Sequence, residues 1–97
     1  MSKGGWTYIM TNRPFGVLYV GVTADLAARV LQHREGTGSD FCRRYNLTRL
    51  VLAEPHATIE EAITREKALK AWKRSWKVEL IEAANPQWRD LWDDLLK

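Results

Sequence analysis

Two runs of aromatic and β-branched residues, Trp6-Thr7-Tyr8-Ile9-Met10 and Val17-Leu18-Tyr19-Val20-Gly21-Val22, flank the turn-forming stretch Asn12-Arg13-Pro14-Phe15-Gly16. Short β-rich runs on either side of Pro and Gly predict a hairpin. With its loop centred on Arg13-Pro14, Tyr8 is expected directly opposite Tyr19 on one sheet face. A slip of one residue would put them on opposite faces.

The period then changes to that of a helix. Thr23-Ala24-Asp25 is a helix start, and Asp25 through Arg34 predicts a helix stopped by Gly36. Leu26, Ala27, Val30 and Leu31 form its expected buried stripe, with Arg29 and His33 one turn apart along the edge. Gly36 to Asp40 reads as a loop, and Phe41-Cys42-Arg43-Arg44-Tyr45 carries no decisive pattern. Leu47 through Glu54 predicts a third strand, ended by Pro55. Thr58-Ile59-Glu60-Glu61 is a capping box opening a helix to about Trp72 or Lys73, with Ile59, Ala62, Ile63, Leu69 and Trp72 as its apolar stripe. Ser75 restarts a helix carrying Trp76, Leu80 and Ile81. Asn85-Pro86 predicts the start of a last helix with Trp88, Leu91, Trp92 and Leu95. The order β-β-α-β-α-α-α implies an α+β domain: a small three-stranded, mainly antiparallel sheet flanked by helices.

Ninety-seven residues suit one domain, expected over residues 6–97 behind a short tail at residues 1–5. No apolar run approaches the length of a bilayer span, so a membrane role is not expected. The single Cys42 cannot form an internal disulfide, which suits a reducing cytoplasm and reads as a structural thiol. The net charge of +3 is unevenly spread. Residues 65–77 hold six basic side chains against Glu66 alone, whereas residues 78–97 hold five acidic and two basic ones. A basic face suits a polyanion, although a solvated helix surface is the commoner explanation of such a charge run.

Glu66 is the oddity of that basic stretch, because on a helical projection it falls about 20° from Ile59 and points toward the core. Such a carboxylate needs a cation or hydrogen bonds. An i,i+4 pair with Lys70 would supply one, and a bound metal ion would supply another. For Tyr8 and Tyr19 the residues alone allow either cross-strand packing or a site. Gly21 reads as a bare strand glycine or as a gap through which a phosphate or metal reaches the backbone.

The spacing of Tyr8 and Tyr19, with Tyr19-Val20-Gly21 as a tripeptide, Arg29 on the following helix and Glu66 on a later one, resembles the GIY-YIG nuclease superfamily, in its small stand-alone branch. The first tripeptide, Trp6-Thr7-Tyr8, keeps only its tyrosine. The resemblance implies an endonuclease-like protein that hydrolyses phosphodiester bonds in DNA with Mg²⁺ or Mn²⁺, in DNA repair or processing; a domain this short has little surface for reading a long base sequence, so selection of a structure is expected. It assigns Tyr8 as general base, Tyr19 as its aid, Arg29 to the scissile phosphate, Glu66 to the metal and His33 to the phosphate or to Tyr8. Gly21 and Asn85 would be structural at the site, although Asn85 also reads as the helix cap described above. Arg65, Lys70, Lys73, Arg43 and Arg44 are the expected nucleic-acid contacts, on a monomer or weak dimer. The rivals are a non-catalytic nucleic-acid-binding module on the same fold, and an interaction adaptor exposing Trp88 or Trp92.

Overall fold

The computed structural model describes residues 4–95; residues 1–3 of the expected tail lie outside that range. Gly5 already belongs to a strand. The elements are β1 (Gly5–Thr11), β2 (Leu18–Thr23), α1 (Leu26–Glu35), α2 (Asp40–Tyr45), β3 (Arg49–His56), α3 (Ile59–Ala71), α4 (Arg74–Ala84) and α5 (Trp92–Leu95). This is the expected order with α2 added. The sheet runs β2-β1-β3, antiparallel at both pairings.

Strand alternation divides the core in two. Tyr8 and Met10 face Leu26, Val30, Cys42, Leu47 and Leu50. Ile9 and Val20 face Val51, Leu52, Leu69, Ile81 and Trp88 on the other side. The β1–β3 register shifts between Ile9 and Met10, leaving Val51 without an opposite residue, a bulge that aims Val51 and Leu52 into the same cluster.

The hairpin register differs from the expected one. Tyr8 pairs with Gly21 and Met10 with Tyr19, two residues from direct opposition of the tyrosines. The cause lies in the turn, which closes from Gly16 N–H to the Arg13 carbonyl at 2.9 Å and is centred on Pro14-Phe15. A two-residue displacement preserves sidedness, so both tyrosines still share a face. Phe15 takes φ 58°, a left-handed conformation costly for a bulky residue. Arg74 holds the turn by donating from Nη2 to the Phe15 and Gly16 carbonyls at 2.8 and 2.7 Å.

Several boundaries depart from expectation for identifiable reasons. Pro55 does not end β3; it lies within the strand opposite Trp6, tolerated because β3 is an edge. Asp25 caps α1 through Ala28 N–H, and Gly36 ends it at φ 79°. The buried side of α1 is Leu26, Val30 and His33, whereas Ala27 and Leu31 are exposed. Thr58 caps α3 through Glu61 N–H, while Ile63 and Trp76 turn outward. Asn85-Pro86 opens a turn rather than a helix, since Trp88 N–H reaches the Asn85 carbonyl at 3.0 Å and Trp88 adopts φ 54°. Trp88 and Trp92 consequently sit in opposite core clusters instead of stacking one turn apart. Trp88 is 1% exposed and Trp92 is half-buried, so of the two rings named by the adaptor reading Trp88 is unavailable and Trp92 only partly open.

Candidate active site on the β2 edge

Tyr8 stands on the central strand with no exposed surface. The adjacent position on β2 is Gly21, where an added Cβ would collide with Cζ and Oη of Tyr8. The missing side chain therefore makes room for the Tyr8 ring rather than for a ligand. Tyr19, two residues back on the edge strand and half-buried, lies 6.4 Å from Tyr8 between ring centroids.

Helix α1 crosses this face and lowers His33 between the two phenols. Ring centroids of His33 lie 5.7 Å from Tyr8 and 5.6 Å from Tyr19, closing a triangle of three rings. Tyr8 Oη and His33 Nε2 are hydrogen-bonded at 2.8 Å. That bond explains why His33, rather than Leu31, occupies the buried side of α1: a buried hydroxyl on the facing strand requires a polar partner. Gly38 covers the imidazole closely, since a Cβ there would come 2.7 Å from Nδ1. Among the described residues, Nδ1 is the one buried side-chain nitrogen or oxygen without a partner.

This geometry favours one direction for the proton. If Nε2–H donated to Tyr8, both the phenol proton and the Nδ1 lone pair would be unmet. If Tyr8 O–H donates to Nε2, the imidazole proton rests on Nδ1 and only that donor is unmet. Burial, then the charge of Arg29, lower the His33 pKa and keep the ring neutral. Burial, followed by Tyr19, pushes the Tyr8 phenol well above its ordinary range, against the pull of the nearby Arg29. Tyr8 is thus a proton-holding phenol at neutral pH, with a neutral acceptor 2.8 Å away. Arg29 is half-buried and forms no ion pair among the described residues, leaving a permanent positive charge for another anion.

Glu66 approaches from the other side of the sheet. Its side chain is 15% exposed and paired with Lys70 Nζ at 3.1 Å. Lys70 in turn lines a surface hollow of about 290 Å³ with Leu18, Tyr19, Val20, Phe41 and Lys77, straddling β2. The structure therefore gathers Tyr8, Tyr19, His33 and Arg29, whereas Glu66 contacts none of them among the described residues and is linked to the β2 hollow only through its partner Lys70. No group of three or more His, Cys, Asp or Glu side chains among the described residues forms a metal cluster. A single, mostly buried carboxylate whose cation partner lines an open hollow nonetheless fits a hard divalent ion that keeps most of its water.

Asn85 is committed elsewhere: Nδ2 donates to the carbonyls of Val51 and Arg89, and Oδ1 accepts from Arg89 N–H. Arg65 forms a two-pronged bond to Glu54 at 2.9 and 3.2 Å and lies over Trp72. Lys73 sits over the Trp76 ring. Arg43 pairs with Asp40 at 3.4 Å, and these two line a second open hollow with Phe41 and Arg44. Phe41, stacked on Tyr19 at 6.0 Å, has no place in the sequence-based site. The signal available was Ser39, whose hydroxyl accepts from Phe41 and Cys42 N–H and so starts α2.

The family model of the GIY-YIG catalytic domain matches residues 4–79. The chain belongs to the GIY-YIG family. Its similarity extends to stand-alone members named UPF0213 protein: one from Staphylococcus epidermidis is 34% identical over 67 residues, 69% of this chain and 82% of the relative. One from Streptococcus pneumoniae serotype 4 is 32% identical over 81 residues, covering 84% and 81%. Another, from Staphylococcus aureus strain N315, is 36% identical over 67 residues, covering 69% and 82%. No solved structure gives a significant match. Membership of GIY-YIG supports, in general terms, a nuclease-type function, contact with nucleic acid and use of a divalent metal ion. No helix among the described residues is long and apolar enough to cross a membrane.

Proposed function

We propose that this GIY-YIG protein is a divalent-metal-dependent endonuclease that hydrolyses phosphodiester bonds in DNA, in repair or processing within the cytoplasm. The observation that carries the reading is the buried Tyr8–His33 hydrogen bond, set beside Tyr19 and the unpaired Arg29. Water attacks phosphorus; its proton passes to Tyr8 Oη while the Tyr8 proton moves to His33 Nε2, and the leaving oxygen takes a proton from solvent. This relay replaces a buried phenolate, which burial opposes, by a transient imidazolium on His33, which burial and Arg29 also disfavour and which the negative charge of the bound phosphate must offset. Tyr19 orients the water, and Arg29 stabilises the charge that grows on the phosphate oxygens. Glu66 would hold Mg²⁺ or Mn²⁺, which supplies additional charge neutralisation when bound. Lys70 must then release the carboxylate and becomes available to a neighbouring phosphate.

The test is incubation of purified protein with plasmid and oligonucleotide DNA, with and without Mg²⁺ or Mn²⁺, alongside Tyr8→Phe, Arg29→Ala and Glu66→Ala. Each substitution should abolish or strongly reduce cutting. Cleavage that persists in both Tyr8→Phe and Glu66→Ala refutes the assigned site. One observation favours a second reading, a binding module without turnover: Glu66 is held by Lys70. It predicts salt-sensitive DNA binding with no cut product under any metal.

A further inference from the structure

Helix α2 carries two exposed aromatic rings where it has least reason to. Its Cys42 side is buried, while Phe41 and Tyr45, one turn apart, are 42% and 43% exposed. Their rings lie 4.9 Å apart, and Phe41 is nearly parallel to Tyr19 at 6.0 Å and 29°. Together with the Tyr8–Tyr19 pair they form an aromatic series from the buried hydroxyl to the surface. Cations flank it on both sides. Phe41 is the common wall of two hollows, one of about 420 Å³ with Asp40, Arg43 and Arg44, the other of about 290 Å³ with Tyr19, Lys70 and Lys77.

Covering Tyr19 accounts for Phe41 but not for Tyr45, which extends the apolar surface away from Tyr19. Exposed ring faces between cations match a strand that offers both phosphates and a free base face. A fully paired duplex keeps its bases stacked on one another and offers Phe41 no such face. Resting on the nuclease reading above, we propose that Phe41 and Tyr45 form a stacking subsite for an unpaired nucleobase beside the scissile phosphate. Arg44 and Lys77 hold the phosphates on either side. The substrate is accordingly a nucleic acid that is single-stranded, frayed or flapped at the cleavage position.

Fluorescence anisotropy in EDTA, where no cutting occurs, tests this with one labelled sequence presented as a single strand and as a blunt duplex. Wild-type protein should prefer the single strand. The Phe41→Ala/Tyr45→Ala variant, checked for folding by circular dichroism, should lose about ten- to a hundredfold in single-strand affinity and little on duplex. Phe41→Trp should keep the affinity, with the fluorescence of the introduced indole quenched by the stacked base. If the double variant binds the single strand as well as wild type, or weakens both forms equally, and the indole signal of Phe41→Trp is unmoved, the subsite is wrong while the nuclease reading stands. If wild-type protein binds neither form, both readings fall.

Discussion

The two edge strands of the sheet handle charge in opposite ways. Around β3 nearly every cation is spoken for: Arg65 grips Glu54, Arg34 pairs with Asp90 at 2.9 Å, and Arg49 donates to the Trp88 carbonyl at 2.9 Å. Asp90 also accepts from Leu50 and Trp92 N–H, tying α5 to the strand. Around β2, Arg29, Arg44 and Lys77 have no ion-pair partner among the described residues, and they surround hydroxyls and exposed rings. Counting basic residues would rank α3 above α1 as a polyanion surface. Counting unspent charges leaves one on each, Lys67 on α3 and Arg29 on α1, and of the two only Arg29 stands beside the phenols at the β2 edge.

Substitutions at the two edges should separate catalysis from stability. The largest effect is expected at Arg29→Ala, which should reduce cleavage by about 10²- to 10³-fold, as loss of a transition-state donor does, with a near-normal melting temperature. Equal loss of activity in Arg65→Ala at matched folded concentration would break the contrast. Arg65→Ala should instead cost about 1.5–3 kcal/mol in urea unfolding, because Glu54 loses a charge-assisted partner in a mostly buried setting. Gly21→Ala should cost a similar amount, about 1–3 kcal/mol, by forcing the Tyr8 ring aside.

Acid should distinguish the edges more gently. His33 has a pKa below its ordinary 6.5, so under acid the unfolded chain takes up a proton that the folded protein refuses. Stability on this account is complete above about pH 6.5 and declines as pH falls below it. The groups facing the ring are Tyr8, Tyr19 and Arg29. Urea midpoints at pH 7.5 and pH 5 should diverge in wild type and converge in His33→Gln, and an unchanged slope in that variant would remove His33 as the cause. The smallest effect belongs to Lys77→Ala: unfolding free energy within about 0.5 kcal/mol of wild type, with the salt dependence of DNA binding reduced by about one ion.

The sequence made the periodic parts of this fold legible and missed the parts set by single polar groups. The α1 cap at Asp25, its stop at Gly36, the Thr58 cap and the antiparallel hairpin all follow from local chemistry. The register did not, because it depends on whether a four-residue turn centres on Arg13-Pro14 or on Pro14-Phe15, and Phe15 in a left-handed conformation is held there by the distant Arg74. Helix α2 is six residues long, too short to show a period. Asn85-Pro86 has the composition of a helix start, yet the Asn85 side-chain amide is drawn to the buried carbonyl of the bulged Val51. For the site, the resemblance to the GIY-YIG superfamily brought together Tyr8, Tyr19, Arg29, Glu66 and His33 as candidates. The direct Tyr8–His33 bond depends on how α1 rolls over the sheet, which a one-dimensional pattern does not encode.

The Arg74 clamp also ties together distant parts of the chain. It fastens the first hairpin, formed from residues near one terminus, to the opening turn of α4, more than fifty positions later. Replacing Arg74 should therefore loosen a turn that it does not adjoin in sequence.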